Sequence, residues 1–144
     1  MPTPLAEQIN GARRGLDLLF GLEMLEVSDS EVRARLAVRD ELKQATGLLH
    51  GGVYAAVAES MTSLATFLAV AADGSTAFGL SNSTSFLRPI TQGTINAVAI
   101  RKHAGRSTWV WEVEISDDQG RLCVLTRMTI AVRERPGAAP GQPR

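Results

Sequence analysis

From residue 51 to residue 72 the sequence carries a single acidic or basic side chain, Glu59, before Asp73 is reached. A surface helix normally shows a charged face, so a segment this poor in charge must be covered by other elements over most of its circumference. It opens on Gly51-Gly52 and stops before Asp73-Gly74, a turn signal, which predicts one long central helix. About 20 apolar residues could also span a bilayer. Glu59, Ser60, Thr62, Ser63 and Thr66, and the lack of basic or Trp anchors at the ends, argue against a membrane span. At ~100° per residue Val53, Val57, Leu64 and Leu68 share a stripe, while Glu59 and Ser63, one turn apart, emerge side by side.

The rest of the chain reads mostly as strands. Residues 5–17 have apolar positions at Leu5, Ile9, Ala12 and Leu16, the spacing of a short amphipathic helix. Residues 21–27 read as a strand that turns at Ser28-Asp29-Ser30 into a second one, where Val32, Ala34, Leu36 and Val38 alternate with Arg33, Arg35 and Arg39. After the central helix come strand-like runs at 76–87, 93–103, 107–116 and 121–132. In the third of these Trp109, Trp111, Val113 and Ile115 occupy one face, the core face, and Asp117-Asp118-Gln119-Gly120 then offers a hairpin turn. One nearly charge-free helix and a series of antiparallel strands predict an α+β fold, with the sheet wrapped around the helix. Residues 1–133 read as a single domain; 134–144, rich in Pro and Gly, read as a disordered tail.

Fifteen basic residues balance fifteen acidic ones over 144 residues, so no global field favours nucleic acid or an anionic membrane. The lone cysteine, Cys123, allows no intrachain disulfide and reads as a buried small hydrophobe. Residues 1–10 lack the pattern of a secretory signal, so a cytoplasmic location is expected. His50, His103 and Cys123 have no metal-ligand spacing, no metal is implied, and no G-x-S-x-G elbow is present.

Chemistry concentrates in Gln44-Ala45-Thr46-Gly47-Leu48-Leu49-His50-Gly51-Gly52, followed on the helix by Glu59 and Ser63. At a helix start the first backbone N–H groups lack intrahelical acceptors and the macrodipole favours negative charge. Glycines at 51 and 52 let a ligand approach those amides, which makes an oxyanion site. Glu59, two turns inside an apolar helix, needs partners, a raised pKa or a polar cleft.

This pattern resembles the hotdog-fold thioesterases, in particular the phenylacetate-pathway (PaaI-like) and 4-hydroxybenzoyl-CoA thioesterase branch, over roughly residues 16–132. Its core is the HGG at 50–52 with Gln44 before it and Glu59 and Ser63 after; the SFLRP at 85–89 and Gly105-Arg106 support it. The resemblance implies a homodimer, often paired into a homotetramer, with composite active sites. It implies acyl-CoA hydrolysis in which the Gly51 N–H receives the thioester carbonyl, supported by Gln44 and His50. Glu59, from the other subunit, acts as nucleophile or general base, with Ser63 positioning the water or the carboxylate. Coenzyme A enters as part of the substrate and no cofactor is implied. Gly52, Asn82, Ser83, Thr84, Arg88, Arg101, Lys102 and Arg106 are the candidate contacts for its pantetheine arm and phosphates. Phe67, Met61, Tyr54 and Phe86 are candidates either for an acyl tunnel or for plain core, and aromatic and medium-chain acyl groups stay equally open. The alternatives are a non-catalytic acyl-CoA binding or regulatory module, or a hotdog hydratase.

Overall fold

The computed structural model describes residues 1–137, and the expected disordered tail lies outside it from residue 138 onward. The central helix forms as α3, Gly51–Val70, followed by a single 3₁₀ turn, Ala71–Asp73, and by Gly74 in the left-handed region (φ 74°). Nine of its residues are buried, and they run through Val53, Val57, Met61 and Ala65 beside Tyr54, Ala58, Thr62 and Thr66. The stripe therefore differs from the expected one: Leu64 is only half-buried and Leu68 is exposed. Threonine makes the difference. The Thr62 hydroxyl donates to Ala58 O and that of Thr66 to Thr62 O, each at 2.8 Å, so both hydroxyls are satisfied by their own helix and can face the core. Thr66 also accepts the indole N–H of Trp111 at 3.0 Å. The helix is long and apolar enough to cross a membrane by length and composition, yet its buried side is seated on a sheet.

That sheet has six strands: β1 (Glu23–Val27), β2 (Glu31–Ala37), β3 (Ser75–Phe86), β4 (Thr94–Ala104), β5 (Thr108–Ser116) and β6 (Leu122–Glu134). Their order is β1-β2-β4-β5-β6-β3, with every neighbouring pair antiparallel. Alternation puts Trp109, Trp111, Val113 and Ile115 against α3, all buried as expected. The hairpin before β6 closes on Asp117, whose carboxylate accepts the N–H groups of Gln119 and Arg121. Long strand β3 lies at an edge of the sheet, and a bulge between Gly79 and Ser81 shifts its register against β6. At the other end of the chain's path, β6 runs through Glu134, and Arg135 donates its N–H to Gly74 O. The body thus extends slightly past residue 133, because the backbone there still finds acceptors.

The expected N-terminal helix is broken in two, α1 (Pro4–Gly11) and α2 (Gly15–Phe20). Gly15 takes φ 57°, a conformation that ends a helical path and that apolar spacing does not reveal. Asp17 of α2 accepts a hydrogen bond from Ser60 of α3 at 2.6 Å, so Ser60 fastens the two helices together.

Thr66→Val should keep the volume of the site but leave the Trp111 N–H buried without an acceptor. A loss of about 1–3 kcal/mol in unfolding free energy is expected in urea titrations.

Candidate active site

The loop before α3 is built by its own backbone. Gln44 N–H donates to Leu48 O, Gly47 N–H returns to Gln44 O with φ 86° at Gly47, and Lys43 pairs with Leu49 in an antiparallel bridge. His50 N–H is held by Leu42 O at 2.9 Å, which fixes His50 as the N-cap. Its Nδ1 accepts the Gly52 N–H at 2.8 Å, and its carbonyl accepts the Val53 N–H at 2.9 Å. His50 thus serves the helix start, and Gly52, one of the expected contact residues, has its N–H already engaged. The Gly51 N–H has no acceptor among the described residues. It is an oriented, unspent donor at the positive end of a helix.

Gly51 borders a cavity of about 400 Å³ walled by Tyr54, Phe86, Leu87 and Val124, with Gln44 and Arg88 also on its lining. Tyr54 and Phe86 meet as a tilted pair, centroids 6.1 Å apart and planes at 54°. The structure therefore brings together three of the expected site residues, Gln44, Gly51 and Arg88. The Gln44 side chain donates to Thr46 Oγ1 at 2.9 Å, within its own loop.

Glu59 emerges from α3 on the flank the sheet leaves uncovered. It is exposed, and among the described residues its carboxylate has no hydrogen-bond or ion-pair partner. Exposure, rather than a partner inside the chain, resolves the cost of an acid on so apolar a helix. Gly79 of β3 makes the room. A side-chain carbon added there would lie 3.0 Å from Glu59 Oε1 and 3.3 Å from its carboxyl carbon. This residue went unread in the sequence, although a lone glycine in a strand pattern signals a bulge or a close approach. Ser63, one turn on, has a buried Oγ without a hydrogen-bond partner and makes no bond to Glu59.

The other expected contacts separate. Asn82 donates to Ala55 O at 2.9 Å and accepts from Thr84, whose hydroxyl also meets Thr126; both residues tie β3 into the body. Ser83 lies in a shallow groove with Glu112 and Arg127. Arg101 donates to Asp29 O, pairs with the Asp29 carboxylate at 3.5 Å and covers the Trp109 ring at 4.8 Å, a structural post. Lys102 lies 3.9 Å from Glu112. Arg106 borders a cleft with Val70 and Asp73, at the end of α3 away from Gly51. In a single chain, then, the expected basic residues do not gather around Arg88.

The profile of the Thioesterase superfamily matches residues 46–124, from the loop before α3 into β6. The chain belongs to the thioesterase superfamily. It is similar to thioesterase PA1618 of Pseudomonas aeruginosa, whose crystal structure superposes with a TM-score of 0.85 at 34% identity, covering 90% of this chain and 94% of that one. It is also similar to the proofreading thioesterase EntH of Cronobacter turicensis, 38% identical over 78% of this chain and 82% of that protein. Thioesterase SAV0944 of Staphylococcus aureus superposes with a TM-score of 0.79 at 28% identity, over 82% of this chain and 98% of its own. SAV0944 has been crystallised with a glutamine replaced by alanine and, separately, with a glutamate replaced by alanine. The fold is the hotdog fold and the protein is a thioester hydrolase.

A thioester hydrolase needs a donor for the developing oxyanion and a group that attacks or activates water. Of the groups described above, the unspent Gly51 N–H is of the first kind and the exposed Glu59 carboxylate of the second, and they stand eight positions apart on α3. At ~1.5 Å of rise per residue that is about 12 Å, too far for both to touch one carbonyl group.

His50→Ala, which removes the cap on the Gly52 N–H, should cost about 0.5–2 kcal/mol of stability in thermal or urea unfolding. His50→Asn, able to cap again, should recover most of it.

Proposed function

We propose that the protein hydrolyses acyl-CoA thioesters carrying an aromatic or medium-chain acyl group, in the cytoplasm, at a site completed by a second copy of the chain. The observation that carries this reading is the pair of unspent groups on one helix, the Gly51 N–H and the Glu59 carboxylate. The 12-residue β3 supplies the means of joining, because an edge strand has unpaired backbone groups along one side. Two β3 edges paired antiparallel about a twofold axis would set the start of one α3 toward the middle of the other.

In the composite site the thioester oxygen accepts the Gly51 N–H, a contact worth about 100 to 1,000-fold in rate when it strengthens in the transition state. As a base, Glu59 of the partner takes a proton from water while the water oxygen bonds to the carbonyl carbon; the tetrahedral intermediate then expels the CoA thiolate, which is protonated. As a nucleophile, its carboxylate oxygen bonds to that carbon, the thiolate leaves, and water opens the resulting anhydride. Either route consumes one water and releases acid and thiol. Gln44 and Arg88, on the cavity wall, are suited to the carbonyl region and to the anionic CoA arm respectively. In SAV0944 the replaced glutamine and glutamate stand fifteen positions apart, the same separation as Gln44 and Glu59, which supports pairing these two residues in one mechanism.

Wild type should release free thiol from acyl-CoAs, and Glu59→Gln should lose at least about 100-fold in kcat with an unchanged fold. A thiol-reactive chromogenic reagent serves as readout, with a substrate-free blank for Cys123, whose thiol is buried and pushed above its ordinary range by that burial. Equal turnover by the two proteins would remove Glu59 from the mechanism, and thiol release by neither, with acyl-CoA still bound, would favour a binding module. Gly79→Ala should lower kcat by about tenfold or more while KM changes little, because the added methyl displaces the Glu59 carboxylate. Gly51→Pro removes the oxyanion N–H at a helix position that tolerates proline. Mixed with Glu59→Gln after joint refolding, it should regain activity as about a quarter of the sites become intact. No recovery in mixtures shown to exchange subunits would mean that each site is built within one chain.

A further inference from the structure

The cavity beside Gly51 has one fixed wall and one free wall. Tyr54 is buried, with 4% of its surface exposed, and its ring is held among the first turns of α3. Phe86 is the last residue of β3, and 58% of its surface is exposed. Its ring nevertheless reaches back over the helix start: a carbon added to Gly51 would lie 3.0 Å from two of its ring atoms. Aromatic carbons thus occupy the space that a side chain would need at the residue whose N–H is unspent. The ring pair is closed as well, since centroids 6.1 Å apart at 54° leave no slot for a third ring between them.

We propose that Phe86 is the specificity-determining residue of the site, a movable aromatic wall that must turn away from Gly51 to admit a bulky acyl group and that packs against a slim one. The inference rests on the acyl-CoA reading above and adds the residue that reads acyl size. A thioester whose carbonyl reaches the Gly51 N–H from this cavity lies against the ring, because Gly51, Tyr54 and Phe86 line the same space. Slim alkyl groups fit along the wall as it stands. Aryl and branched groups require the ring to swing away from Gly51, at the cost of its contact with Tyr54; within one chain nothing among the described residues packs over its outer side, and its place at the very end of β3 sets it at the margin of the proposed strand pairing. Phe86 touches the substrate in this account but takes no part in proton transfer or attack.

Non-hydrolysable CoA thioethers separate this inference from the catalytic one. S-ethyl-, S-hexyl- and S-benzyl-CoA are titrated calorimetrically into wild type, Phe86→Ala and Phe86→Leu, with circular dichroism and melting curves as the check on folding. Phe86→Ala should improve S-benzyl-CoA relative to S-ethyl-CoA by about tenfold or more, the scale on which pocket shape discriminates apolar groups. Phe86→Leu, which keeps an apolar side chain on the wall, should fall between. A ratio that stays within twofold of wild type in both variants overturns the proposal, as does the absence of thioether binding by every variant. A Phe86-dependent ratio in a protein that releases no thiol would overturn hydrolysis and leave this inference standing; turnover with an unmoved ratio would do the reverse. Gly51→Ala, which keeps the N–H, adds a second reading. Its methyl should push the ring and lower kcat/KM, and Phe86→Ala in the same chain should restore it at least threefold. No restoration would mean that the ring and the helix start do not act on one another.

Discussion

The position of α3 on the sheet is the constraint from which the rest follows. A helix held only by apolar contacts can slide or roll by a fraction of a turn at small cost, because dispersion is not directional. Two hydrogen bonds remove that freedom. Near its end, Thr66 accepts the buried indole N–H of Trp111 on β5; near its start, Ala55 O accepts the Asn82 amide of β3. Pinned at two levels and to two strands, the helix has one rotation and one height. That setting aims Glu59 at Gly79 and brings Gly51 under Phe86. Asn82, expected to hold a substrate arm, donates from its amide to the element that carries Gly51 and Glu59.

The sheet covers one side of α3 and leaves the other to be completed. On or beside that open flank are groups whose interactions are unmade within the chain: the Gly51 N–H, the Glu59 carboxylate and the unpaired edge of β3. The Ser63 hydroxyl, buried and without a partner, stands one turn from Glu59. An unmet polar group is expensive when buried and cheap when wet, so the exposed members of this set cost the folded monomer little. In the proposed composite site a thioester and a second chain would exclude water around them, and the same exclusion would strengthen each electrostatic contact made there. A bulged, glycine-bearing edge strand suits this role, since it gives space to the carboxylate without closing over it.

Where local periodicity decides structure, the sequence was readable. The alternation from Trp109 to Ile115, the Asp117–Gly120 turn and the glycine start of α3 all depend on neighbours within a few residues, and each forms as expected. Elsewhere the deciding interaction lay outside the apolar pattern. Thr62 and Thr66 read as polar but face the core because their hydroxyls return to the helix backbone. Arg101, expected to meet a phosphate, has Asp29 and Trp109, both remote or unpredictable from its own neighbourhood, on either side of it. The break at Gly15 depends on a positive φ that no apolar spacing encodes. Among the site residues, Glu59 stood out because a charge on an apolar helix is anomalous by itself. Gly79 acts by the absence of a side chain, and its meaning exists only once Glu59 is beside it.

Charge makes the same argument on a larger scale. With fifteen residues of each sign there is no net field to draw in an anionic substrate, so any attraction must come from where charges are left uncompensated. Several arginines of the strands and of the turn before β6 are already committed: Arg33 to Glu31, Arg35 to Glu23, Arg101 to Asp29, Arg121 to Asp117. The Arg35 guanidinium, hydrogen-bonded to Glu23, holds that carboxyl below its usual range, as expected for a spent pair. Arg88 differs, because its guanidinium borders the cavity and has no ion-pair partner among the described residues. Charges farther off than the Debye length, about 8 Å in physiological salt, are largely screened, so the pull on an anion at this cavity is set by what lies beside it. There the guanidinium of Arg88, not spent in an ion pair among the described residues, stands on the same wall as the unspent Gly51 amide.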